Sequence, residues 1–380
     1  FQAEDGIRDR SPSRGLGDVY KRQALHDQHL DSSAKMVDFH GWNMPINYGS
    51  QLSEHEQVRN SCGIFDVSHM TILDFKGKDA KEFLRKLLAN DINSLNEYFD
   101  GLYSALLNES GGILDDLIAY KLESGYRLVV NCATRESDIS WIASQVGDMD
   151  VSFSERTDLS MIAIQGPNAL KVLSRCFSTE TSNELMKKRP FEGLMEDGTL
   201  VTTTGYTGEK GVEVMIDNEK ANSLWQKAIQ SGASPVGLAA RDTLRLEAGM
   251  NLYGFEMDEN ISPLECNMAW TVSLKDKERN FIGKDSFELK KKTGDYHLLK
   301  GLLFEDRCIV RSNQEIFFDE QKTKKGIVTS GTYSPTLKKS IALARIAPSD
   351  RETCLAEVRD KIFTAAIGQP RFIKEGKIVF

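Results

Sequence analysis

Segments with the two-residue periodicity of strands alternate irregularly with segments of helical periodicity, and this order constrains the fold of the 380-residue chain. Residues 78–90 (KDAKEFLRKLLAN) place apolar side chains on one helix face. The flanking segments TILDFKG and YRLVVNC are rich in β-branched and aromatic residues, which is typical of strands. Because there is no regular βα repeat and no GxGxxG motif, we predict an α+β fold rather than a doubly wound parallel sheet.

The character of the sequence changes after about residue 288. FELKKKTGDYH is a charged connector, and the short segments LKGLLFE, IVTSGTYSP, SIALARI and CLAEVRD that follow it are separated by turn residues. This pattern predicts a separate small β-barrel or sandwich over residues 288–380. The chain is longer than a single hydrophobic core usually supports, so we predict two or three domains, with residues 24–287 forming the α+β part.

The first 23 residues look foreign to the rest of the chain. The segments QAEDGIRD (2–9) and SRGLGDVYKRQ (13–23) match in-frame translations of DNA adapters that are used to prepare sequencing libraries. We therefore expect residues 1–23 to be a non-native segment, comparable to a fusion scar, and we leave them out of the prediction of the fold.

The charge balance and the cysteine pattern argue against several classes of protein. The formal net charge is -8 and no run of five or more basic residues occurs, so we expect no nucleic-acid partner. No run of 18 apolar residues is present, so we expect no membrane span. The cysteines form no CxxC pair and the histidines no HExxH motif, so we predict free thiols and no bound metal.

Two adjacent acids, Asp115 and Asp116, stand between the glycine pair of GGILDDLIAY (111–120) and an apolar run. Successive side chains of a strand face opposite sides, so a strand here would separate the two acids. Asp116 would then share a face with Ile118 and Tyr120, and these three side chains could line a ligand site. The alternative is that both acids belong to a turn and accept hydrogen bonds from backbone N–H groups.

The glycine-rich segment TTGYTGEKGVE (203–213) contains Tyr206 and leads into an apolar strand that carries Glu213. A carboxylate inside an apolar strand is costly unless it is paired, so one interpretation is a functional Glu213. The alternative, which the segment by itself favours, is an edge strand that exposes Glu213 to solvent. The glycines lack the GxxxxGK[ST] spacing of a phosphate-binding loop.

Charged residues are concentrated in GLAARDTLRLEAGMNLYG (237–254), where a helix is predicted. Arg241 and Arg245 lie four residues apart and therefore share one helix face. One interpretation is ion pairing within the helix, with Asp242 and Glu247 as the acids. The other is a guanidinium group that is held ready for a carboxylate ligand.

Seven segments, in their order along the chain, resemble the aminomethyltransferase (T-protein) family of the glycine cleavage system. The resemblance runs from about residue 30 to the end, and the ordered set is far more specific than any single motif. The segments are MVDFHGWNMPINYGSQ, FDVSHM, NESGGILDDLIAY, LVVNCATRE, GYTGE, GLAARDTLRLEAGMNLYG and SGTYSPTLKKSIALARI.

The resemblance implies a three-domain cloverleaf, in which two interleaved α+β domains of ferredoxin-like character surround a central folate site beside a C-terminal β-barrel. It implies an enzyme that transfers the methylene of an aminomethyl group to tetrahydrofolate and releases ammonia. The aminomethyl group is carried on the lipoyl arm of a second protein. The expected partners are therefore lipoylated H-protein and tetrahydrofolate, which serves as a co-substrate, and no metal is expected.

The resemblance also implies roles for individual residues. The family's essential aspartate falls on Asp116, in agreement with the strand face described above. Glu213 matches the acid that binds the pterin ring, and Arg241 matches the site arginine. The family often has an aromatic ligand near the C-terminus, for which Phe372 is the candidate here. The residues expected to bind folate are Met70, Tyr103, Ile118, Tyr120, Asn131, Tyr206, Glu213, Arg241 and Trp270.

Other folate proteins share parts of this pattern. A folate-dependent methyltransferase or demethylase, such as a sulfonium demethylase, would use the same pterin pocket without a lipoyl arm. A non-catalytic folate-binding factor of iron–sulfur maturation carries a KGCYxGQE-like segment where this chain has TTGYTGEKG, without the cysteine. The folate domain of a flavin-dependent dehydrogenase would accompany a dinucleotide fingerprint, which this sequence lacks. The compact match resembles bacterial members, so we expect a cytoplasmic protein, with the mitochondrial matrix as the alternative.

Overall fold

The structure, a computed structural model, describes residues 20–380, and these divide into two compact units. Unit 1 combines the described residues up to Thr71 with Arg156–Leu244, and unit 2 combines Ile72–Glu155 with Arg245–Phe380. Helices and strands alternate irregularly along both units, so the predicted α+β class is confirmed. The cloverleaf arrangement and the domain boundaries at residues 24 and 288 stay predictions.

Nine α-helices lie within the described residues: α1 (His26–Asp31), α2 (Gln51–Asn60), α3 (Ala80–Leu87), α4 (Arg135–Gln145), α5 (Ala169–Cys176), α6 (Thr179–Leu185), α7 (Asn218–Gln230), α8 (Leu238–Glu247) and α9 (Lys284–Thr293). Two short 3-10 turns are formed by Ile92–Ser94 and Ala269–Thr271. None of the helices within residues 20–380 combines the length and the hydrophobicity that crossing a bilayer requires.

Strands β1–β13 are β1 (Lys35–Phe39), β2 (Trp42–Asn47), β3 (Gly63–Asp66), β4 (Thr71–Lys76), β5 (Gly101–Leu107), β6 (Ile113–Leu122), β7 (Gly125–Val130), β8 (Ser152–Glu155), β9 (Leu159–Gln165), β10 (Gly193–Glu196), β11 (Thr199–Thr202), β12 (Gly211–Asp217) and β13 (Ser234–Pro235). Strands β14–β21 are β14 (Leu298–Phe304), β15 (Glu315–Phe317), β16 (Lys324–Ser334), β17 (Lys339–Ile346), β18 (Thr353–Val358), β19 (Lys361–Gly368), β20 (Ile373–Lys374) and β21 (Lys377–Ile378).

Unit 1 is built on a six-stranded sheet with the order β10-β11-β12-β9-β3-β13. The strands are antiparallel except for β13, which runs parallel to β3. Helices α5 and α7 bury their apolar sides against this sheet, with Leu173 and Trp225 in contact with a core that includes Ile164 and Val214. The burial of this apolar surface fixes β12 in the interior of the sheet, where Glu213 is located.

Unit 2 contains a five-stranded sheet with the order β5-β6-β7-β4-β8 and a closed six-stranded barrel with the order β14-β17-β16-β15-β18-β19. Helices α3 and α4 contribute Phe83, Leu87 and Ile142 to the core of the five-stranded sheet. The predicted C-terminal β domain is therefore a barrel and not a sandwich. The position of β6 between β5 and β7 determines the surroundings of Asp115 and Asp116.

The expected non-native segment lies mostly outside the described residues, because the description begins at Tyr20. Lys21 extends the β2 region, since its N–H donates to the carbonyl of Gly41 at 2.9 Å and its own carbonyl accepts from the N–H of Asn43 at 3.1 Å. Gln23 is 6% exposed, and in the described part of the chain neither its amide oxygen nor its amide nitrogen has a hydrogen-bond partner. A buried amide without partners destabilises a fold.

We predict that Gln23→Leu stabilises the protein. Leucine removes two buried polar atoms that lack partners, a change of roughly 1–3 kcal/mol in the free energy of unfolding, which corresponds to a melting temperature higher by several degrees. Differential scanning calorimetry measures the melting temperature of both proteins. Gln57→Leu, at an exposed position of α2, is the control and should leave the melting temperature nearly unchanged. A Gln23→Leu protein that melts at or below the wild-type temperature would contradict the prediction.

Candidate functional site

Strand β6 separates the two adjacent acids as the sequence predicted. Asp115 is fully buried, and it shares its face with Leu117 and Ala119, which belong to the hydrophobic core. Asp116 is half-buried on the opposite face, together with Ile118. Both acids lie inside the strand rather than in the turn before it, so the interpretation of the pair as turn acids is wrong.

The carboxylate of Asp116 is held by Tyr103 of β5 and by Asn131, which directly follows β7. The hydroxyl of Tyr103 donates to Oδ2 of Asp116 at 2.6 Å, and the side-chain amide of Asn131 donates to Oδ1 at 2.9 Å. Tyr103 lies in β5 directly opposite Ile118, which places it diagonally across from Asp116 on the same face of the sheet. The two donors fix the direction of the carboxylate.

Asp115 belongs to a second, fully enclosed set of polar groups. It accepts a hydrogen bond from the backbone N–H of Asn131 at 2.9 Å and another from the Asn131 side-chain amide at 2.7 Å. Its side chain also contacts that of Asp138, which lies in the first turn of α4 and is 1% exposed. Sequence reasoning missed Asp138, because an acid in the first turn of a helix is ordinary and carries no other signal.

The three carboxyl groups have raised pKa values. Burial, and after it the charge of Asp115, raises the pKa of Asp116 to about 7. Burial also raises the pKa of Asp138 to about 7, and burial together with the charge of Asp138 raises the pKa of Asp115 well above its ordinary value. A carboxyl group that titrates near neutral pH can both accept and return a proton under ordinary conditions.

An aromatic surface stands beside Asp116. The ring of Trp270 is 5.7 Å from that of Tyr103, and Trp270 is 64% exposed. An indole that is mostly exposed beside a held carboxylate offers a flat apolar surface to a planar ligand.

Tyr120 is 0% exposed and packs against Gly101, so it is buried rather than exposed at the surface of the site. Phe372 is also fully buried and stacks on Phe380.

Glu213 lies in the interior of the unit 1 sheet. Strand β12 pairs with β11 on one side and β9 on the other, where Glu213 is opposite Thr202 and Ala163. The residue is 5% exposed, so the alternative of a solvent-exposed edge strand is wrong. The hydroxyl of Thr204 donates to Oε2 of Glu213 at 2.6 Å. A carboxylate can accept about four hydrogen bonds, so Glu213 retains acceptor capacity.

Arg241 stacks on Tyr206. The guanidinium carbon lies 4.7 Å from the centre of the Tyr206 ring, and among the described residues Nη1 of Arg241 is buried without a hydrogen-bond partner. Arg245, one turn further along the helix, pairs with an acid outside it, since its Nη1 is 3.0 Å from Oε2 of Glu256. A buried guanidinium nitrogen without a partner is suited to an anionic or carbonyl ligand.

A buried ion pair anchors the segment that carries Tyr206. Nη1 of Arg59 donates to the carbonyl of Thr207 and to Oε1 of Glu209, both at 2.7 Å, and both partners of the ion pair are about 5% exposed. Nη2 of Arg59 also donates to the carbonyl of Leu244, in α8. Arg59 therefore connects the Tyr206 segment to the helix that carries Arg241, a role that sequence reasoning missed.

Gln165 holds the same segment from the side of the sheet. Its side-chain amide donates to the carbonyls of Thr204 at 3.0 Å and Val212 at 3.2 Å, and its Oε1 accepts from the hydroxyl of Thr207 at 3.0 Å. Met70 lies half-buried just after β3, with its N–H bonded to the carbonyl of Val67. Within residues 20–380, no group of three or more His, Cys, Asp or Glu side chains is arranged to hold a metal ion.

The predicted site residues thus form two groups. Met70, Tyr206, Glu213 and Arg241 belong to unit 1, where Glu213 and Tyr206 each act electrostatically on Arg241. Tyr103, Asp116, Ile118, Tyr120, Asn131 and Trp270 belong to unit 2. The unit 2 group offers a held carboxyl group beside an exposed indole. The unit 1 group offers a buried acid and a guanidinium that is stacked on a tyrosine ring.

Two family models match the chain in succession. The model described as "GCVT N-terminal domain" matches residues 25–276, and the model described as "Glycine cleavage T-protein C-terminal barrel domain" matches residues 299–374. The fold and these matches define the class, a folate-dependent transferase in which an α+β part is followed by a β-barrel. The chain belongs to the glycine cleavage T-protein family.

The structure is also similar to solved structures. The glycine cleavage system aminomethyltransferase T from Bartonella henselae matches with a TM-score of 0.86 and 29% sequence identity, over 95% of this chain and 100% of that chain. The heterotetrameric sarcosine oxidase from Corynebacterium sp. U-96 matches with a TM-score of 0.31 and 12% identity, over 56% of this chain and 94% of that chain. A TM-score of 0.31 supports no conclusion about this chain.

We predict that Asp116→Asn stabilises the protein above neutral pH. In the folded state the pKa of Asp116 is about 7, whereas its ordinary value is 3.8, so the folded state binds more protons between these values. The free energy of unfolding therefore falls as the pH rises from about 4 to about 7. Asparagine carries no charge and keeps a hydrogen-bond acceptor for its neighbours.

The measurement is the melting temperature of wild type and Asp116→Asn at pH 5 and pH 8. The increase in melting temperature caused by Asp116→Asn should be larger at pH 8 than at pH 5. Each kcal/mol added to the free energy of unfolding should raise the melting temperature by roughly 2–4 °C. Asp148→Asn, at an exposed position, serves as the control for loss of one charge. An equal effect of Asp116→Asn at both pH values would mean that the pKa of Asp116 is close to that of an ordinary aspartate.

Proposed function

We propose that this protein is the aminomethyltransferase of the glycine cleavage system. It transfers the methylene of an aminomethyl group, carried on the lipoyl arm of H-protein, to tetrahydrofolate. The methylene exchanges its bonds to sulfur and to the amino nitrogen for two bonds to folate nitrogens. The two protons that leave those nitrogens appear on ammonia and on the released thiol, so the reaction balances without an oxidant or a metal.

The observation that carries the proposal is the environment of Asp116. The carbon that moves gains positive charge as its bond to sulfur or nitrogen breaks, and a nearby carboxylate stabilises that charge. The folate nitrogen that attacks must lose a proton, and a carboxyl group with a pKa of about 7 can accept it. Tyr103 and Asn131 hold the carboxylate in one direction, which limits the reorganisation that the reaction requires.

We assign recognition of the pterin ring to Glu213 and that of anionic or carbonyl groups to Arg241. A reduced pterin presents a ring N–H and an exocyclic amine side by side, and one carboxylate can accept both. Charge-assisted hydrogen bonds of this kind contribute roughly 1.5–3 kcal/mol each. Tyr206 supports the guanidinium group from one face, and Trp270 supplies an apolar surface beside Asp116. Met70 and Ile118 shape the surroundings of these groups, whereas Tyr120 is buried and contributes only to the packing near Gly101.

The decisive assay follows ammonia and methylenetetrahydrofolate together, with aminomethylated H-protein as the donor. We expect both products in equal amounts and only when tetrahydrofolate and the loaded H-protein are present. Formation of a methylated folate from a small methyl donor, with no ammonia from H-protein, would favour the related folate-dependent demethylases instead. Folate binding without turnover of either donor would favour a non-catalytic folate protein.

We predict that Asp116→Asn lowers turnover by roughly 10²–10⁴-fold while most of the affinity for tetrahydrofolate is retained. The amide keeps the size of the side chain but removes the charge and the proton acceptor that the transfer uses. Steady-state kinetics and calorimetric titration with tetrahydrofolate measure the two effects separately. Asp148→Asn should remain close to wild type in both. Near-normal turnover of Asp116→Asn would remove Asp116 from the reaction.

We predict that Glu213→Gln weakens tetrahydrofolate binding by roughly 1–3 kcal/mol, or about 5- to 150-fold in the dissociation constant. Glutamine retains an acceptor for Thr204, so the strand should keep its structure, but it cannot accept both pterin donors with a full negative charge. Isothermal titration calorimetry provides the measurement. Glu219→Gln, at an exposed position in the first turn of α7, is the matched control. Unchanged affinity would place the pterin elsewhere.

A further inference from the structure

Asp138 is a buried acid for which the reaction described above has no use. It lies in the first turn of α4 and is 1% exposed, and within residues 20–380 neither of its carboxylate oxygens has a hydrogen-bond donor. The side chain of Thr134 also interacts with the Asp138 carboxyl group, but its single hydroxyl proton is directed to the carbonyl of Asn131 at 3.2 Å. The side chain that Asp138 contacts is that of Asp115, another acid.

Contact between two buried carboxyl groups requires a proton. Ionised carboxylates only accept hydrogen bonds, and two of them without water between them repel each other. A single proton removes the repulsion and supplies the missing donor, so that the two groups together carry one negative charge. Both members have raised pKa values, chiefly through burial; the charge of Asp138 further raises the pKa of Asp115, and the charge of Asp116 further raises that of Asp138, which agrees with a shared proton near neutral pH.

The contact reaches Asp116 through Asn131. The side-chain amide of Asn131 donates to Oδ1 of Asp115 at 2.7 Å and to Oδ1 of Asp116 at 2.9 Å, while its backbone N–H donates to Oδ2 of Asp115 at 2.9 Å. Asp115 therefore has both oxygens engaged by one residue. Asn131 stands at the end of β7, three residues before the cap of α4, so the helix, the loop and the two acids form one connected set.

Tyr103, Tyr253 and Cys266 are titratable groups that lie near this set, and Asp258 and Glu259 also act on Tyr253. Tyr103 donates to Asp116, and the hydroxyl of Tyr253 donates to the carbonyl of Ile113 at 3.2 Å. Burial and the charges of Asp115 and Asp138 raise the pKa of Tyr253, and burial and the charge of Asp116 raise the pKa of the Cys266 thiol. Both groups are therefore neutral at physiological pH, and the other charges that act on Cys266 are those of Arg345 and Glu256.

We propose that Asp138 is a positioning residue, which shares one proton with Asp115 in a buried acid pair and thereby holds Asn131 in the orientation that fixes the carboxylate of Asp116. The effect of Asp138 on turnover depends on the function proposed for Asp116. The existence of the shared proton does not depend on that function.

The kinetic test compares Asp138→Asn with Asp138→Ala. Asparagine brings its own N–H donor to Asp115, which then carries the single negative charge, so turnover should stay within about threefold of wild type. Alanine leaves Asp115 without that donor, so turnover should fall by roughly tenfold or more while the affinity for tetrahydrofolate is unchanged. Melting temperatures establish that both variants are folded. Equal loss of turnover in both folded variants would overturn the proposal.

The spectroscopic test needs no activity and therefore survives failure of the proposed function. In protein labelled with [4-13C]aspartate and carrying Asp116→Asn, infrared spectroscopy at pH 7 should show the carbonyl band of a protonated aspartic acid. Adding Asp138→Asn should abolish this band, because the amide replaces the acid as donor. Absence of the band before that change, or its persistence afterwards, would show that Asp115 and Asp138 do not share a proton.

Discussion

Burial of the carboxyl groups around β6, complete for Asp115 and partial for Asp116, is the constraint on which the unit 2 site depends. The strand lies between two others and against a helical layer, so its acids must be satisfied by protein groups. Tyr103 and Asn131 supply hydrogen bonds that lower the pKa of Asp116, but burial and the charge of Asp115 outweigh them. An exposed aspartate would stay ionised through the neutral range and would be a poor proton acceptor.

Unit 1 stabilises its buried charges differently, by pairing opposite charges. Arg59 is paired with Glu209, and the guanidinium of Arg241 lies on Tyr206 and near the charge of Glu213. A buried pair of this kind adds little net stability compared with apolar residues, although breaking it is costly. Its value here is geometric, because Arg59 connects the Tyr206 segment with the helix of Arg241, whose Nη1 has no hydrogen-bond partner within residues 20–380.

Several features could be predicted from the sequence because they depend on short-range periodicity. The separation of Asp115 from Asp116 follows from the alternation of side chains in a strand, and it required only that a strand be present. The helix over 78–90 and the change to short strands after residue 288 were recognisable for the same reason. The interior position of Glu213 could not be recognised from short-range periodicity, because the strands on either side of β12 come from residues 199–202 and 159–165.

The sequence by itself determined the secondary structure that carries each acid and, through ordered motifs, the family. Only the tertiary structure decided which groups act on those acids. Asn131 and Asp138 reach Asp115 from a different strand and a helix, and nothing in their own local sequence indicates that contact. Periodicity reports which face a side chain occupies, whereas pairing, burial and pKa depend on residues brought together from distant parts of the chain. The charge state of the site is therefore a property of the folded protein.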